Sequence, residues 1–404
     1  MTDDVLKPAD AAQVQEALSW ALAQDVPLEL LGRGTKQQLG RPVRSNARLD
    51  LSALAGVSMY EPEELVMTAA PATRLADIEA TLAEKNQELA FEPPDLGALV
   101  GGAAGEGSIG GAFLCNLGGP RRFRAGAARD HLLGFKAVSG RAEPFKSGGR
   151  VVKNVTGYDL SKLICGSFGT LAAVTEVTFK VLPRAEKART LLLYGLDTAA
   201  AVQALSEAAG SPHDVSGLAH LPAESAARSA VDYVSSAGAS VTAVRLEGPG
   251  PSVEARLAAL KDWFRRHRLE ELHSMRSRTF WTEVRDVARY CGTEGPLWRL
   301  LLPPMAAAQV AAALTPLGGR MVFDWAGGLV WLVLPDMALH VAEVRAAAAA
   351  AGGHAMLVRA PRALREEVDV FPPESAGVRA LSTRIKDSFD PRRILNPGRM
   401  WAGV

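Results

Sequence analysis

A chain of 404 residues that is 48% hydrophobic and 22% charged has the makeup of a folded globular protein, and it is too long for one ordinary core. Lys and Arg number 45 against 44 Asp and Glu, a formal net charge of +1, so no general attraction to nucleic acid is implied. Cys115, Cys165 and Cys291 stand far apart and match no zinc or iron–sulfur ligand spacing, which argues against a metal cluster held by this chain alone and fits a reducing, cytoplasmic setting.

The opening MTDDVLKPAD lacks the apolar core of a secretory leader. No apolar run approaches the roughly 20 residues of a membrane span, so any membrane association is expected to be peripheral, at the inner face of the cell membrane. Asp10 followed by Gln13 has the spacing of a capping box, and Val14, Leu18 and Leu22 give the helix behind it an apolar stripe. PLELLGRGTKQ (27–37) reads as a strand breaking into a glycine loop, and MYEPEELVMTAAPA as further strands with a turn. Leu75, Ile78 and Leu82 fall at helical spacing in a helix expected to start near Thr73. From about 91 to 135 the chain is rich in proline and glycine, and GTLAAVTEVTFKVLP (169–183) returns to strand character.

Beyond Pro183 the pattern changes. TLLLYG, DTAAAVQALSEAAG, VSGLAHL, ASVTAVRLEG and PSVEARLAALKDWFRRH approximate a βαββαβ order, with Leu257, Leu260 and Phe264 on one helix face. The order recurs in PLWRLLLP, MAAAQVAAALTPLGG, a hairpin about Ala326–Gly327–Gly328, an alanine-rich helix and HAMLVRA. The tail DSFDPRRILNPGRMWAGV carries turn chemistry at Asp390–Pro391 and Asn396–Pro397–Gly398, which suits an ordered end.

Of the 38 glycines, 17 cluster between positions 97 and 170, where backbone could approach a ligand closely. Gly105, Gly107 and Gly110 spell the dinucleotide fingerprint, but no strand precedes them, and Gly118, Gly119 and Pro120 soon follow. Asp130 has the spacing of the fingerprint's acid, yet it lies behind RRFRAGAAR and not at the end of a second strand. GRGTK (32–36) is better placed, directly after a strand. It suits either an anion-binding nest, with Arg33, Thr35 and Lys36 adding donors, or an ordinary turn with solvated charges. The loop from Gly107 to Asp130, with its arginines, reads as a ligand loop or as a surface excursion.

In chain order, the GRGT loop, PPD (93–95), SIGGAFLCNLGGPRR and ARDHLLG (108–134), GGRVVKNVTGYDLSKLICGSFGTLAAVTEVTFKVLP (148–183) and FDPRRILNPGRM (389–400) resemble the FAD-binding domain of the vanillyl-alcohol oxidase/p-cresol methylhydroxylase superfamily. Within it, KNVTGYDLSKLICGSFGTL and the NPGRM end are most similar to the FAD-binding subunit family, lettered E, of bacterial glycolate oxidases. The resemblance implies an α+β fold: a PCMH-type FAD-binding domain of two subdomains over 1–184, a cap of ferredoxin-like βαββαβ units over 185–370, and a segment over 371–404 returning to the FAD site.

The resemblance also implies site residues. Gly32, Arg33, Gly34, Thr35 and Lys36 would hold the FAD pyrophosphate; Ser108, Gly110, Gly111, Asn116 and Gly118 would line the pyrophosphate and flavin side. Pro94, Lys153, Asn154, Gly157, Tyr158 and Asp159 would sit beside the cofactor, with backbone near Val174 meeting a ring edge, and Asn396 and Arg399 returning from the tail. On the residues alone, Tyr158 reads equally as a core aromatic, and Lys153 and Asp159 as a structural ion pair. Cys115 beside the flavin loop is read as a small apolar filler. The first glycine loop, RGTKQQLG, has no histidine, so FAD is expected to be non-covalent.

The function implied is oxidation of a short 2-hydroxy acid such as glycolate to the 2-oxo acid, with hydride passing to flavin N5. Electrons would leave to partner subunits of the glycolate oxidase complex, an FAD-carrying one lettered D and an iron–sulfur one lettered F. Two alternatives remain: a self-sufficient D-lactate-like 2-hydroxyacid dehydrogenase, and a non-catalytic assembly subunit with a vestigial flavin site. For the first, His354 and Arg320 are the catalytic candidates; His354 in AGGHAM has no second histidine close in sequence and reads also as a histidine at a strand start.

Overall fold

The computed structural model describes residues 4–150 and 157–402. The chain divides into two compact units: Met1–Gly118, Gly126–Pro183 and Pro361–Val404 form one, and Gly119–Ala125 with Arg184–Ala360 form the other. The first unit therefore takes the chain back at Pro361, ahead of the expected 371. Proline ends the extended run before it, because it bars the ladder N–H and restricts the preceding residue.

The first unit holds two sheets. In the smaller, Asp4–Leu6, Ala47–Asp50 and Leu28–Leu31 run parallel, with Ala47–Asp50 in the middle. Helix Ala11–Gln24 supplies one crossover, and Asp10 caps it by accepting from the Gln13 N–H at 2.9 Å. Its buried stripe is Val14, Leu18 and Ala21, packed with Leu28, Leu49 and Leu395. The larger sheet is antiparallel, in the order Val57–Glu61, Val66–Ala69, Ala172–Lys180, Leu132–Ser139, Pro144–Gly148. Helix Leu75–Ala83 buries Leu75, Ile78 and Leu82 in the core of that sheet, with Met67, Phe113 and Phe179. Each such fully buried apolar side chain contributes about 1.5–3 kcal/mol.

The second unit is built on one eight-stranded sheet. Strands Lys187–Tyr194, Val215–Leu221, Val241–Gly248 and Arg268–His273, with helices Thr198–Gly210 and Gly250–Trp263, pair in the spatial order 4-1-3-2 of a ferredoxin-like unit. Strands Leu297–Leu301, Arg320–Asp324, Leu329–Val333 and His354–Arg359, with helices Ala307–Leu314 and Val341–Ala350, repeat that order. The two halves join through their second strands, where His220 pairs with Phe323. The repeat is in backbone topology and hydrophobic period, which explains why the residues themselves barely echo.

Candidate functional site

The glycine loop lies at the mouth of a cleft in the first unit. Strand Leu28–Leu31 delivers Gly32–Lys36 to one wall, and the short helix Ile109–Leu114, capped by Ser108, forms the facing one. The cleft encloses about 780 Å³ of empty space, part of it open to solvent. Leu30, Leu114, Phe168 and Val174 give it apolar surface, and Asn396 and Arg399 enter from the tail.

Three features fit a diphosphate. Among the described residues, no backbone hydrogen bond is donated by the N–H groups of Arg33, Gly34, Thr35 or Lys36, so they are available to an anion. Two cations line the cleft with no carboxylate in ion-pair contact among the described residues, Lys36 and Arg399. The Lys36 ammonium has Thr35 Oγ1 at 3.3 Å, and the Arg399 guanidinium donates to the Lys36 carbonyl at 2.7 Å. Burial, above all, lowers the pKa of both groups, the expected result of withdrawing a cation from water without a counter-ion. Finally, a Cβ on Gly111 would lie 3.2 Å from Lys36 Nζ, so glycine there leaves the ammonium its room.

The tail is tied to the loop-bearing strand. Leu395 bridges Leu28 in parallel, Asn396 Oδ1 accepts from the Leu30 N–H at 2.8 Å, and Asn396 Nδ2 donates to the Phe168 carbonyl at 2.9 Å. Gly169, at φ +72°, lets that turn pass, since a Cβ there would sit 2.8 Å from Asn396 Nδ2.

Of the residues expected at the cofactor, Gly32, Arg33, Gly34, Thr35, Lys36, Ser108, Gly110, Gly111, Val174, Asn396 and Arg399 come together here. Arg33 is not a free donor: it is ion-paired with Glu106. Gly110 donates its N–H to the Pro71 carbonyl, and a Cβ on it would lie 2.6 Å from Pro71 Cβ, so its role is close packing. The fingerprint spacing of Gly105, Gly107 and Gly110 is thus a turn over Asp95 followed by a packing glycine, with no strand before it. Asp130 closes its own turn by accepting from the Ala127 N–H at 2.8 Å.

Other expected residues lie elsewhere. Asn116, at φ +47°, accepts from the Arg129 N–H and shapes the loop behind the helix; Gly118 and buried Pro94 are likewise outside the lining. Asp159 caps helix Leu160–Ile164 and pairs with Lys162 at 2.9 Å, while Tyr158 is 92% exposed, neither core nor cleft. Gly157 is exposed beside it, and Lys153 and Asn154 lie outside the described residues. Cys115 lines the cleft; burial raises its thiol pKa, although Lys36 and Arg399 pull the other way.

In the second unit, Arg320 and His354 are not brought together. Arg320 opens a central strand of the sheet, opposite Val333, whereas exposed His354 opens the strand at one edge, opposite Leu301. The charged neighbour of His354 is Arg299, which adds to partial burial in lowering the imidazole pKa. The signal for Arg299 in sequence is a lone cation inside the apolar run PLWRLLLP.

An FAD binding domain family model matches residues 2–147. The glycolate oxidase subunit GlcE of Escherichia coli (strain K12) is 32% identical over 400 residues, which span 98% of this chain and 99% of that protein. The chain belongs to the GlcE family. GlcD, a glycolate oxidase subunit of Bacillus subtilis (strain 168), is 30% identical over 208 residues, 51% of this chain and 43% of its own length. Thus the GlcE-family chain aligns with it over about half of its length. Among solved structures, p-cresol methylhydroxylase with substrate bound superposes with a TM-score of 0.70 at 16% identity, covering 99% of this chain and 88% of the other. An alkyldihydroxyacetonephosphate synthase superposes with a TM-score of 0.69 at 16% identity, covering 97% and 76%. The fold is therefore the α+β, PCMH-type one, and the family's cofactor is FAD.

Proposed function

We propose that this chain is the FAD-holding subunit of a complex that oxidises glycolate, or another short 2-hydroxy acid, to the 2-oxo acid. The observation that carries this reading is the pair Lys36 and Arg399 beside an unpartnered glycine loop, in a chain matched to GlcE over almost its full length. FAD, when bound, supplies the two-electron acceptor for such an oxidation. Lys36, Arg399 and the N–H groups of residues 33–36 offset the diphosphate charge. Leu30, Leu114 and Phe168 offer the apolar wall that a flavin ring needs, and Asn396 holds the tail against the strand that carries the loop.

The absence of histidine from the first glycine loop supports non-covalent attachment. Among the described residues no three His, Cys, Asp or Glu side chains converge where a metal could sit, which supports electrons leaving through a partner. That partner set is a GlcD-type flavin protein, which does the substrate chemistry, and an iron–sulfur protein, the component lettered F. Among the described residues no helix is long and apolar enough to cross a bilayer, and we place the complex in the cytoplasm or against the inner membrane face.

Co-expression of the chain with a GlcD-type protein and an iron–sulfur partner, then glycolate-dependent dye reduction, tests the assignment. Turnover by the complex, with FAD in this chain and no turnover by the chain alone, is expected. Equal turnover by the isolated chain would replace this function with a self-sufficient dehydrogenase. A fully active complex without FAD in this chain would leave it an assembly component.

A further inference from the structure

Arg299 lies in the strand Leu297–Leu301, with Trp331 and Met356 as its cross-strand partners. Alternation along the strand puts it on the opposite face from Trp298, whose ring packs beneath Arg345 of the helix Val341–Ala350. On its own face, the Arg299 guanidinium is 5.6 Å from the centre of the Trp325 ring and 6.0 Å from that of Trp331. Arg122 stacks on the same Trp325 ring at 5.0 Å, and the Trp325 indole is fixed by its N–H bond to the Gly119 carbonyl at 3.0 Å.

Five other arginines of this unit are matched. Arg121 and Arg245 face Glu247, Arg189 faces Glu271, Arg289 faces Glu283, and Arg359 donates to the Tyr290 and Gly295 carbonyls. Among the described residues, no carboxylate and no hydrogen-bond acceptor is paired with Arg299. Its charged neighbour is another cation, Arg122. Withdrawal from water first, and Arg122 second, bring its pKa down to about 10. A half-buried guanidinium with no carboxylate or hydrogen-bond acceptor of its own is costly unless an anion completes the arrangement.

We propose that Arg299, flanked by Arg122 and walled by Trp325 and Trp331, binds a small carboxylate, that of the 2-hydroxy acid or its 2-oxo product. In naming that acid the assignment rests on the function proposed above; in placing an anion at Arg299 it does not. A guanidinium offers a carboxylate two parallel N–H donors, and the two indoles beside it reduce competition from water.

Calorimetric titration of the full chain with glycolate and with oxalate, at constant ionic strength set by chloride, is the test. Saturable binding is expected, weakened about ten- to a hundred-fold in Arg299→Gln, the loss expected for a charged hydrogen-bonded pair. Without anion, the melting temperature of Arg299→Gln is expected to equal or exceed that of the wild type, because an unmatched cation has been removed; a purely structural arginine would lower it. FAD content is expected to be unchanged, which separates failure here from failure of the flavin assignment. If Arg299→Gln does not fold, Arg299→Lys, which keeps the charge and loses the fork, is expected to bind about tenfold more weakly. No binding by the wild type, or equal binding by the variants, would overturn the proposal.

Discussion

Lys386 Nζ lies 2.7 Å from Asp390 Oδ2, and solvent reaches neither side chain. The same ammonium donates to the carbonyls of Thr170 at 2.6 Å and Leu395 at 3.0 Å, while Asp390 accepts from the N–H groups of Ile394 and Leu395. This buried pair fastens the turn that carries Asn396 and Arg399 into the cleft. Replacing Lys386 with Met leaves the Asp390 carboxylate buried without its cation, a loss of about 3–5 kcal/mol. Urea denaturation is expected to show that loss together with reduced FAD retention, and Lys386→Met/Asp390→Asn is expected to recover part of both.

Lys36 and Arg399 are expected to act on the cofactor more than on the fold. Lys36→Met and Arg399→Met each remove one charge-assisted contact, worth about 1.5–3 kcal/mol, so FAD affinity is expected to fall roughly ten- to a hundred-fold by equilibrium dialysis. Because burial lowers the Lys36 pKa, the ammonium loses its proton at a pH below the ordinary lysine range. FAD binding is therefore expected to weaken as pH rises towards that range, and this dependence is expected to be reduced in Lys36→Met.

Gly169→Ala tests the contact between the tail and the turn. A side chain at φ +72° costs about 1–2 kcal/mol, and the added Cβ would press on Asn396 Nδ2 at 2.8 Å. Differential scanning calorimetry is expected to show a loss of at least that size. Asn396→Ala in the same background is expected to cost less than it does alone, since the two changes disturb one contact.

His220 is buried at the junction of the two βαββαβ halves, its Nδ1 2.9 Å from Thr242 Oγ1, and burial lowers its pKa to about 4. The unfolded imidazole takes a proton near pH 6.5 and the folded one does not, so this contribution to stability is present above pH 6.5 and is lost as pH falls towards 4. The slope approaches about 1.4 kcal/mol per pH unit for one proton. Between pH 6.5 and 5, ahead of most carboxylate titration, His220→Gln is expected to show a shallower fall in stability than the wild type.

Glycines that punctuate a strand end are legible in sequence, because only backbone geometry or a ligand requires them; GRGTK and the tail NPGR are of this kind, and they meet in one cleft. Hydrophobic period likewise reveals helix Ala11–Gln24 and the twice-used βαββαβ order. What sequence conceals is which polar groups are already spoken for. Arg33 reads as a donor to a ligand, yet Glu106, far along the chain, takes its charge. Gly110 reads as ligand space and is filled by Pro71. Arg299 reads as an interruption of an apolar strand, and its significance rests on two tryptophans and a second arginine that only the fold brings near.

The most direct measurement is the absorption spectrum of the purified chain, repeated on the supernatant after acid precipitation. A flavin spectrum that passes wholly into the supernatant, with about one FAD per chain in the wild type and far less in Lys36→Met/Arg399→Met, is the expected result. Colour left in the pellet would mean covalent attachment, with the Cys115 thiol the first group to examine. No flavin, in the chain alone or in its complex, would contradict the assignment of this cleft to FAD.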